Sequence, residues 1–382
     1  MNKTADCVII GGGISGYSIA FNLAKRGMKN IVVLDKSYQA SGATGRCGAG
    51  IRQQWGTEMN CKLGKLSNDY FETAKDDLQY PGDIEFKQGG YLILAYTEKE
   101  VEQFKKNIVL QNSLGIQSKL LTPEDAREVV PYLNTKGILA ATFHQKDGHL
   151  NPFTTLDAFA QAAKRLGVEG YNYVEATGII VQNGEVKAVE TTMGTISTPL
   201  VVNTAGGWSK QVAEMAGIDI PVFSERHQIL VTEPVEPMLG PMVMSFSGNL
   251  YCQQVPHGSF VMGRGDVGEP QDLRVTSGWH FVEEMAKTIT DLLPPLRDLR
   301  VVRQWAGLYN ITPDRQPIYG PVQGVKGYHL AVGYSGHGFM FAPATGILMA
   351  EKILGLPMTM DIDMLSLDRF AKGELIFEPS VV

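Results

Sequence analysis

Asp6-Cys7-Val8-Ile9-Ile10-Gly11-Gly12-Gly13-Ile14-Ser15-Gly16, followed by Tyr17-Ser18-Ile19-Ala20-Phe21-Asn22-Leu23-Ala24, lies close to the start of the chain. An apolar run breaks into glycines and gives way to helical spacing, the pattern of strand, tight turn and helix. Gly11, Gly13 and Gly16 stand at G-x-G-x-x-G spacing. In such a turn the first glycine permits the bend, the second lets the backbone approach a pyrophosphate, and the third lets helix and strand pack closely. Free N–H groups at Ile14 and Ser15, with the helix's partial positive charge, would face the phosphates. A second apolar run, Ile31-Val32-Val33-Leu34, ends at Asp35 and Lys36, with Asp35 nineteen residues beyond Gly16. A carboxylate there accepts hydrogen bonds from an adenosine ribose. Strand, turn, helix, second strand and terminal acid in register predict a dinucleotide site.

The whole chain narrows the class. A length of 382 residues suggests two domains, and 44% hydrophobic residues with 42 glycines fit a globular α/β protein rich in turns. A net charge of −6 and the lack of any Lys/Arg run argue against a nucleic-acid partner. The apolar stretches are strand-sized, so no transmembrane segment is expected. The first strand follows the N-terminus directly, so no cleavable signal is expected. Cys7, Cys47, Cys61 and Cys252 show neither CxxC pairs nor a disulfide spacing, which predicts reduced thiols and a cytoplasmic protein.

Beyond Asp35, the run Ser41-Gly42-Ala43-Thr44-Gly45-Arg46-Cys47-Gly48-Ala49-Gly50-Ile51-Arg52-Gln53-Gln54-Trp55 has small residues that can lie flat against a planar ligand, and two arginines that call for anionic partners. Helices are expected over 60–80, 97–114 and 153–166. Another follows Thr122, with Pro123 at its first position. His144, Asp147, His149 and Asn151 read as a polar turn without metal-ligand spacing. Asn183-Gly184 marks a hairpin. The strand Leu200–Asn203 runs into Thr204-Ala205-Gly206-Gly207-Trp208, a second place with nucleotide-site geometry. From Pro221 to about Gly307 alternating runs predict a separate antiparallel sheet, interrupted by a helix over 281–293. The strand 328–332 then enters Gly333-Tyr334-Ser335-Gly336-His337-Gly338-Phe339-Met340 and a helix to about 354.

Taken together, the glycine turn, the Ser41–Arg52 loop, the Asn203–Trp208 turn, Thr312-Pro313-Asp314 and Gly333–Phe339 resemble the D-amino-acid-oxidase-like flavoproteins, in that family's order and over nearly the whole chain. Within it, Arg46–Trp55 is most similar to the β subunits of heteromeric sarcosine oxidases and to dye-linked L-proline dehydrogenases. The resemblance implies an α/β fold with a discontinuous Rossmann-like FAD domain (1–85, 150–220, 318–382) and an α+β substrate domain on an antiparallel sheet (86–149, 221–317). It implies FAD held by Gly11, Gly13, Ile14, Ser15 and Gly16 at the pyrophosphate and by Asp35 and Lys36 at the adenosine ribose. Ser41, Thr44, Gly45, Arg46, Gly50 and Ile51 would line the ribityl-flavin region. Val174 would meet the adenine, and Ala205, Gly206 and Trp208 would pack near the cofactor chain. Gly307, Gly336, His337, Gly338, Phe339 and Met340 would surround the ring, with Gly336–Phe339 opening a helix toward it.

Departures from the pattern carry information. Where monomeric sarcosine oxidases tether FAD through cysteine, this chain has Gly307, which implies non-covalent FAD. Their oxygen-activating lysine aligns with Val261 and their second lysine with Met340, which favours a dehydrogenase over an oxidase. Pro152 stands where heteromeric sarcosine oxidases carry the FMN-linked histidine, with His149 offset, so covalent FMN is not expected while non-covalent FMN at a subunit interface stays open. Arg52 is the expected substrate-carboxylate clamp, since guanidinium offers carboxylate a bidentate fork; Tyr251, Tyr309 and His337 are candidates to face the substrate. The expected function is oxidation of a secondary amino acid, sarcosine- or proline-like, by hydride transfer to flavin N5 in the catalytic β subunit of a heteromeric dehydrogenase that hands electrons to partner subunits. The alternatives are a self-contained glycine or D-amino-acid oxidase or dehydrogenase, and a flavin-binding scaffold without turnover.

Overall fold

The structure is a computed structural model that describes residues 3–266 and 268–379. The outermost residues of the predicted spans, 1–2 and 380–382, lie outside the described residues. A six-stranded sheet runs in the order Ile318–Pro321, Tyr328–Val332, Val201–Asn203, Cys7–Ile10, Ile31–Leu34, Glu169–Tyr171. Its pairings are parallel except at the Ile318–Pro321 edge. Such strands are buried on both faces and read as continuous apolar runs, and Cys7–Ile10 and Ile31–Leu34 are buried throughout. Cys7–Ile10 pairs in parallel with both Ile31–Leu34 and Val201–Asn203. The turns after all three strands therefore leave at one edge, where ligands bind in open α/β sheets.

On one face of this sheet the helix Ile14–Lys25 packs between Pro152–Arg165 and Ala342–Leu354. Gly346 permits the close crossing, since a Cβ there would lie 2.6 Å from the Ser18 carbonyl oxygen. The other face is covered by a three-stranded antiparallel sheet, Ala176–Gln182, Glu185–Thr191 and Gly194–Ser197. Its first hairpin turns at Asn183 and Gly184, both with positive φ (54° and 73°), as a type I′ turn requires.

The second large sheet has eight strands, in the order Val301–Ile311, Phe223–Thr232, Phe260–Arg264, Leu250–Gln254, Met242–Ser245, Tyr91–Ala95, Ala140–His144, Lys119–Leu121. It is antiparallel as expected except where Met242–Ser245 pairs in parallel with Tyr91–Ala95. That exception arises where two distant chain segments join, so no tight hairpin dictates their direction. Helix Trp279–Leu292 buries Phe281, Met285, Ile289 and Leu292 against this sheet.

The segment 144–149 is a polar turn with Gln145 and Lys146 exposed at its tip, while His144, Asp147 and His149 are buried and Asp147 accepts hydrogen bonds from the His144 ring, Gln53 N and Gln54 Nε2. One local expectation is corrected. The helix after Gly333 begins at Ala342 rather than near Gly336. Ser335 and Gly336 hold positive φ (50° and 95°), incompatible with helix, and Pro343, lacking an N–H, suits only the first turn.

Candidate active site

The glycine turn behaves as its spacing requires. Gly11 has φ of 116°, and a Cβ on it would stand 2.4 Å from the Thr204 carbonyl oxygen. A Cβ on Gly16 would stand 2.0 Å from the Gly11 carbonyl oxygen. Gly13, by contrast, faces open space apart from the Thr44 hydroxyl at 3.1 Å. It is the N-cap of Ile14–Lys25 and leaves that helix end without a side-chain cap. The Ile14 N–H donates to Thr44 Oγ1 at 3.1 Å, which fastens the 41–55 loop to the turn. Asp35 accepts the N–H groups of Gly12 and Ser37 at 3.0 and 2.8 Å, so its carboxylate is held at the crevice mouth. Lys36 lies over the Trp208 ring at 4.0 Å.

A single cavity of about 670 Å³ runs from this turn to the second sheet. Its volume falls within the range of small-molecule and cofactor sites, roughly 300–1,000 Å³. Gly11, Gly13, Ile14, Ser15, Asp35, Lys36 and Val174 line one end; Ser41, Thr44, Arg46, Gly50, Ala205, Gly206 and Trp208 line the middle; Arg52, Tyr251, Gly307, Tyr309, Gly336, His337, Gly338, Phe339 and Met340 line the rest. Gly16, Gly45 and Ile51 are not part of the wall. Gly16 is taken up by helix–strand packing, Gly45 packs on the Ala40 carbonyl oxygen, and Ile51 is fully buried in the core. A cradle that tolerates no Cβ at Gly11, with a helix N-terminus whose N-cap Gly13 offers no side chain and a carboxylate at its mouth, fits an adenine dinucleotide.

The two arginines differ from expectation in one case. Arg46 has no anionic partner among the described residues; Nε donates to Ser41 O and Nη1 to Ala306 O, both at 2.9 Å. It straps the loop to strand Val301–Ile311 and passes close to Gly307, where a Cβ would lie 3.1 Å from Arg46 Cβ. Arg52 is 1% exposed, its guanidinium carbon lies 3.8 Å from the centre of the Trp55 ring, and Nε and Nη1 have no partner among the described residues. Burial pulls its pKa below the ordinary value, while the nearby Tyr91, Glu378 and Asp147 oppose that shift. A buried guanidinium without its hydrogen bonds is costly. Arg52 stands in the cavity wall.

The same cavity is lined by a row of rings from the second sheet. His227 is stacked on Tyr309 with ring centres 4.3 Å apart and planes 5° apart, and on Tyr251 at 6.0 Å and 9°. Gly263, in the strand between those of His227 and Tyr251, lets Tyr251 lean across, since a Cβ there would meet the Tyr251 hydroxyl at 2.5 Å. His227 was missed by sequence reasoning because a lone histidine in an alternating strand carries no signal; only the register places it opposite Gly307, between the tyrosines. Its Nε2 has no partner among the described residues. His337 stands edge-on to Trp55 at 4.4 Å, also with an unpartnered Nδ1. Val261 shares a strand with Gly263 but is not in the cavity wall.

Burial lowers the His227 pKa from 6.5 to about 4, and that of His337 well below 6.5, aided there by Arg52 and Arg315. In both, the folded value lies beneath the unfolded one, so the unfolded chain binds more protons in acid. Stability is therefore full above pH 6.5 and falls as pH drops toward 4, at about 1.4 kcal/mol per pH unit for each histidine. Melting temperatures between pH 7 and 4.5 should show this loss, and His227→Phe should flatten it. An unchanged slope in that variant would show that His227 does not titrate this way.

The model of the family described as FAD dependent oxidoreductase matches residues 6–352. Sarcosine oxidase subunit beta of an Arthrobacter species is 31% identical, over 98% of this chain and 93% of the relative. The protein of the same name from Rhodobacter capsulatus is 28% identical, over 98% and 91%. Among solved structures, L-proline dehydrogenase from P. horikoshii superposes with a TM-score of 0.93 at 38% identity, over 98% of this chain and all of that one. Glycine turn, cavity and these matches agree, and the chain belongs to the FAD-dependent oxidoreductase family, with FAD as its cofactor.

Proposed function

We propose that this protein oxidises a secondary amino acid of the sarcosine or proline class as the catalytic subunit of a heteromeric amine dehydrogenase. The observation that carries the reading is Arg52, a buried guanidinium with unpaired donors in the wall of the cavity. The names of the relatives, sarcosine oxidase subunit beta and L-proline dehydrogenase, support the substrate class and the heteromeric assembly.

FAD, when bound, supplies N5 as acceptor of the hydride from the carbon that bears the amine. The chain itself binds, orients and excludes water. Gly11, Gly13, Ile14 and Ser15 hold the pyrophosphate, Asp35 the ribose, and Ser41, Thr44, Ala205 and Gly206 the remainder of the chain. Gly307 offers no thiol, so the cofactor is held without a covalent bond there. Arg52 clamps the substrate carboxylate. Tyr251 and Tyr309 wall the substrate, and His227, kept neutral by burial, stacks between them and fixes both rings. His337 closes the same end of the cavity beside Trp55.

Anaerobic titration of the yellow protein with sarcosine, L-proline, glycine and D-alanine tests the reading. Sarcosine or L-proline should bleach the flavin most rapidly, and readmitted oxygen should restore colour slowly. Failure of every amine to bleach it would sink the enzymatic reading. Rapid reoxidation with stoichiometric peroxide would replace dehydrogenase by oxidase.

A further inference from the structure

We propose that the C-terminal tail belongs to the active site's support, with Glu378 as a positioning residue for Arg52; this rests on the reading of Arg52 as carboxylate clamp. Glu378 is 6% exposed, and its carboxylate reaches the turn that follows Arg52. Oε1 accepts the Gly56 N–H at 2.6 Å, while Oε2 accepts the Thr57 hydroxyl at 2.9 Å and Asn60 Nδ2 at 2.8 Å. Thr57 is the N-cap of helix Glu58–Leu78, so the carboxylate also sits at that helix's positive end. The residues directly after Arg52 are held by Asp147, fully buried, which accepts Gln53 N at 2.9 Å and Gln54 Nε2 at 3.0 Å.

Two buried carboxylates thus grip the chain just beyond Arg52, one at Gln53 and Gln54 and the other at Gly56, Thr57 and Asn60. Trp55 Nε1 donates to Arg52 O at 3.1 Å and closes the turn, and Gln111 Nε2 donates to Trp55 O at 2.7 Å. The Trp55 ring beneath Arg52 is fixed by these bonds. Carboxylates at this remove favour the charged guanidinium by their field. A direct ion pair would do the same but would have to be displaced by an incoming substrate carboxylate.

The tail itself is anchored by charge. Arg369, 1% exposed, donates Nε and Nη2 to the two oxygens of Asp314 at 2.7 and 2.9 Å, and Ile376 N donates to Asp314 Oδ2 at 3.2 Å. The Thr-Pro-Asp turn therefore holds the tail, and two residues beyond Ile376 the tail holds the Arg52 turn.

The test compares a carboxylate ligand with one that lacks it, on FAD-loaded protein. Pyrrole-2-carboxylate is titrated by its perturbation of the flavin absorbance, and L-proline is compared with pyrrolidine as reductant. Glu378→Ala should weaken pyrrole-2-carboxylate and raise KM for L-proline roughly ten- to hundredfold, the scale of a misplaced orienting group. Pyrrolidine reduction and FAD content should stay unchanged. Should that variant fail to fold, Glu378→Gln, which keeps an acceptor for Gly56 N–H, carries the same comparison. Equal losses for proline and pyrrolidine, or release of FAD, would overturn the proposal by making Glu378 a fold residue. If Arg52→Ala weakens pyrrole-2-carboxylate and Glu378→Ala does not, the tail proposal alone fails. If neither does, the clamp reading fails with it.

Discussion

Arg52→Ala should lower kcat/KM for L-proline or sarcosine by about three orders of magnitude, while pyrrolidine, which has no carboxylate, is oxidised as before. A bidentate guanidinium–carboxylate contact contains two charge-assisted hydrogen bonds, each about 1.5–3 kcal/mol, and every 1.4 kcal/mol is tenfold. Arg52 stands in the cavity wall, where such a partner would arrive, and its buried Nε and Nη1 have no competing partner among the described residues. Arg52→Lys should recover little, because an ammonium lacks the planar fork. Stability separates this role from a structural one. Arg52→Met removes a buried charge without hydrogen bonds while keeping much of the volume stacked on Trp55, so the melting temperature should hold or rise. A large fall in melting temperature, or equal losses for proline and pyrrolidine, would mark Arg52 as a structural residue.

Gly11→Ala should abolish FAD retention and cost about 3–5 kcal/mol of stability, among the largest single-residue effects. The added Cβ meets backbone on both counts: φ is 116°, and the Thr204 carbonyl oxygen lies 2.4 Å away. That carbonyl belongs to the turn after Val201–Asn203, which is paired in register with the first strand and cannot retreat. Gly13→Ala is the informative comparison. Its Cβ would meet only the Thr44 hydroxyl, at 3.1 Å, so the fold should survive while the pyrophosphate's approach is blocked. Absorbance at 450 nm per mole of purified protein and the melting temperature read the two effects separately. A stable Gly13→Ala protein with full flavin content would show that the cofactor does not approach Gly13.

The first βαβ unit was legible from sequence because its signals are local: continuous apolar strands, glycines where a Cβ meets backbone, and an acid at the end of the second strand. The Thr122–Pro123 start and the Asn183–Gly184 turn are legible for the same reason, since capping and positive φ depend on neighbours in the chain. Arg46 and Arg52 show where local reading stops. Both stand in one glycine-rich loop, yet Arg46 is bound to Ala306 O, across 260 residues, while Arg52 lines the cavity with Nε and Nη1 unpartnered among the described residues. Which of two arginines is free depends on what the fold brings beside each.

Composition and local spacing determined that this chain binds a dinucleotide on a parallel sheet, because backbone geometry and helix ends are set by adjacent residues. Tertiary structure alone decided how the residues at the other end of the cavity are arranged. The stack of Tyr309, His227 and Tyr251 comes from strand register. The grip on the turn after Arg52 comes from Asp147 and Glu378, both far downstream in the chain. Such contacts arise when elements pack, and a one-residue change of register would turn His227 to the opposite face of its sheet.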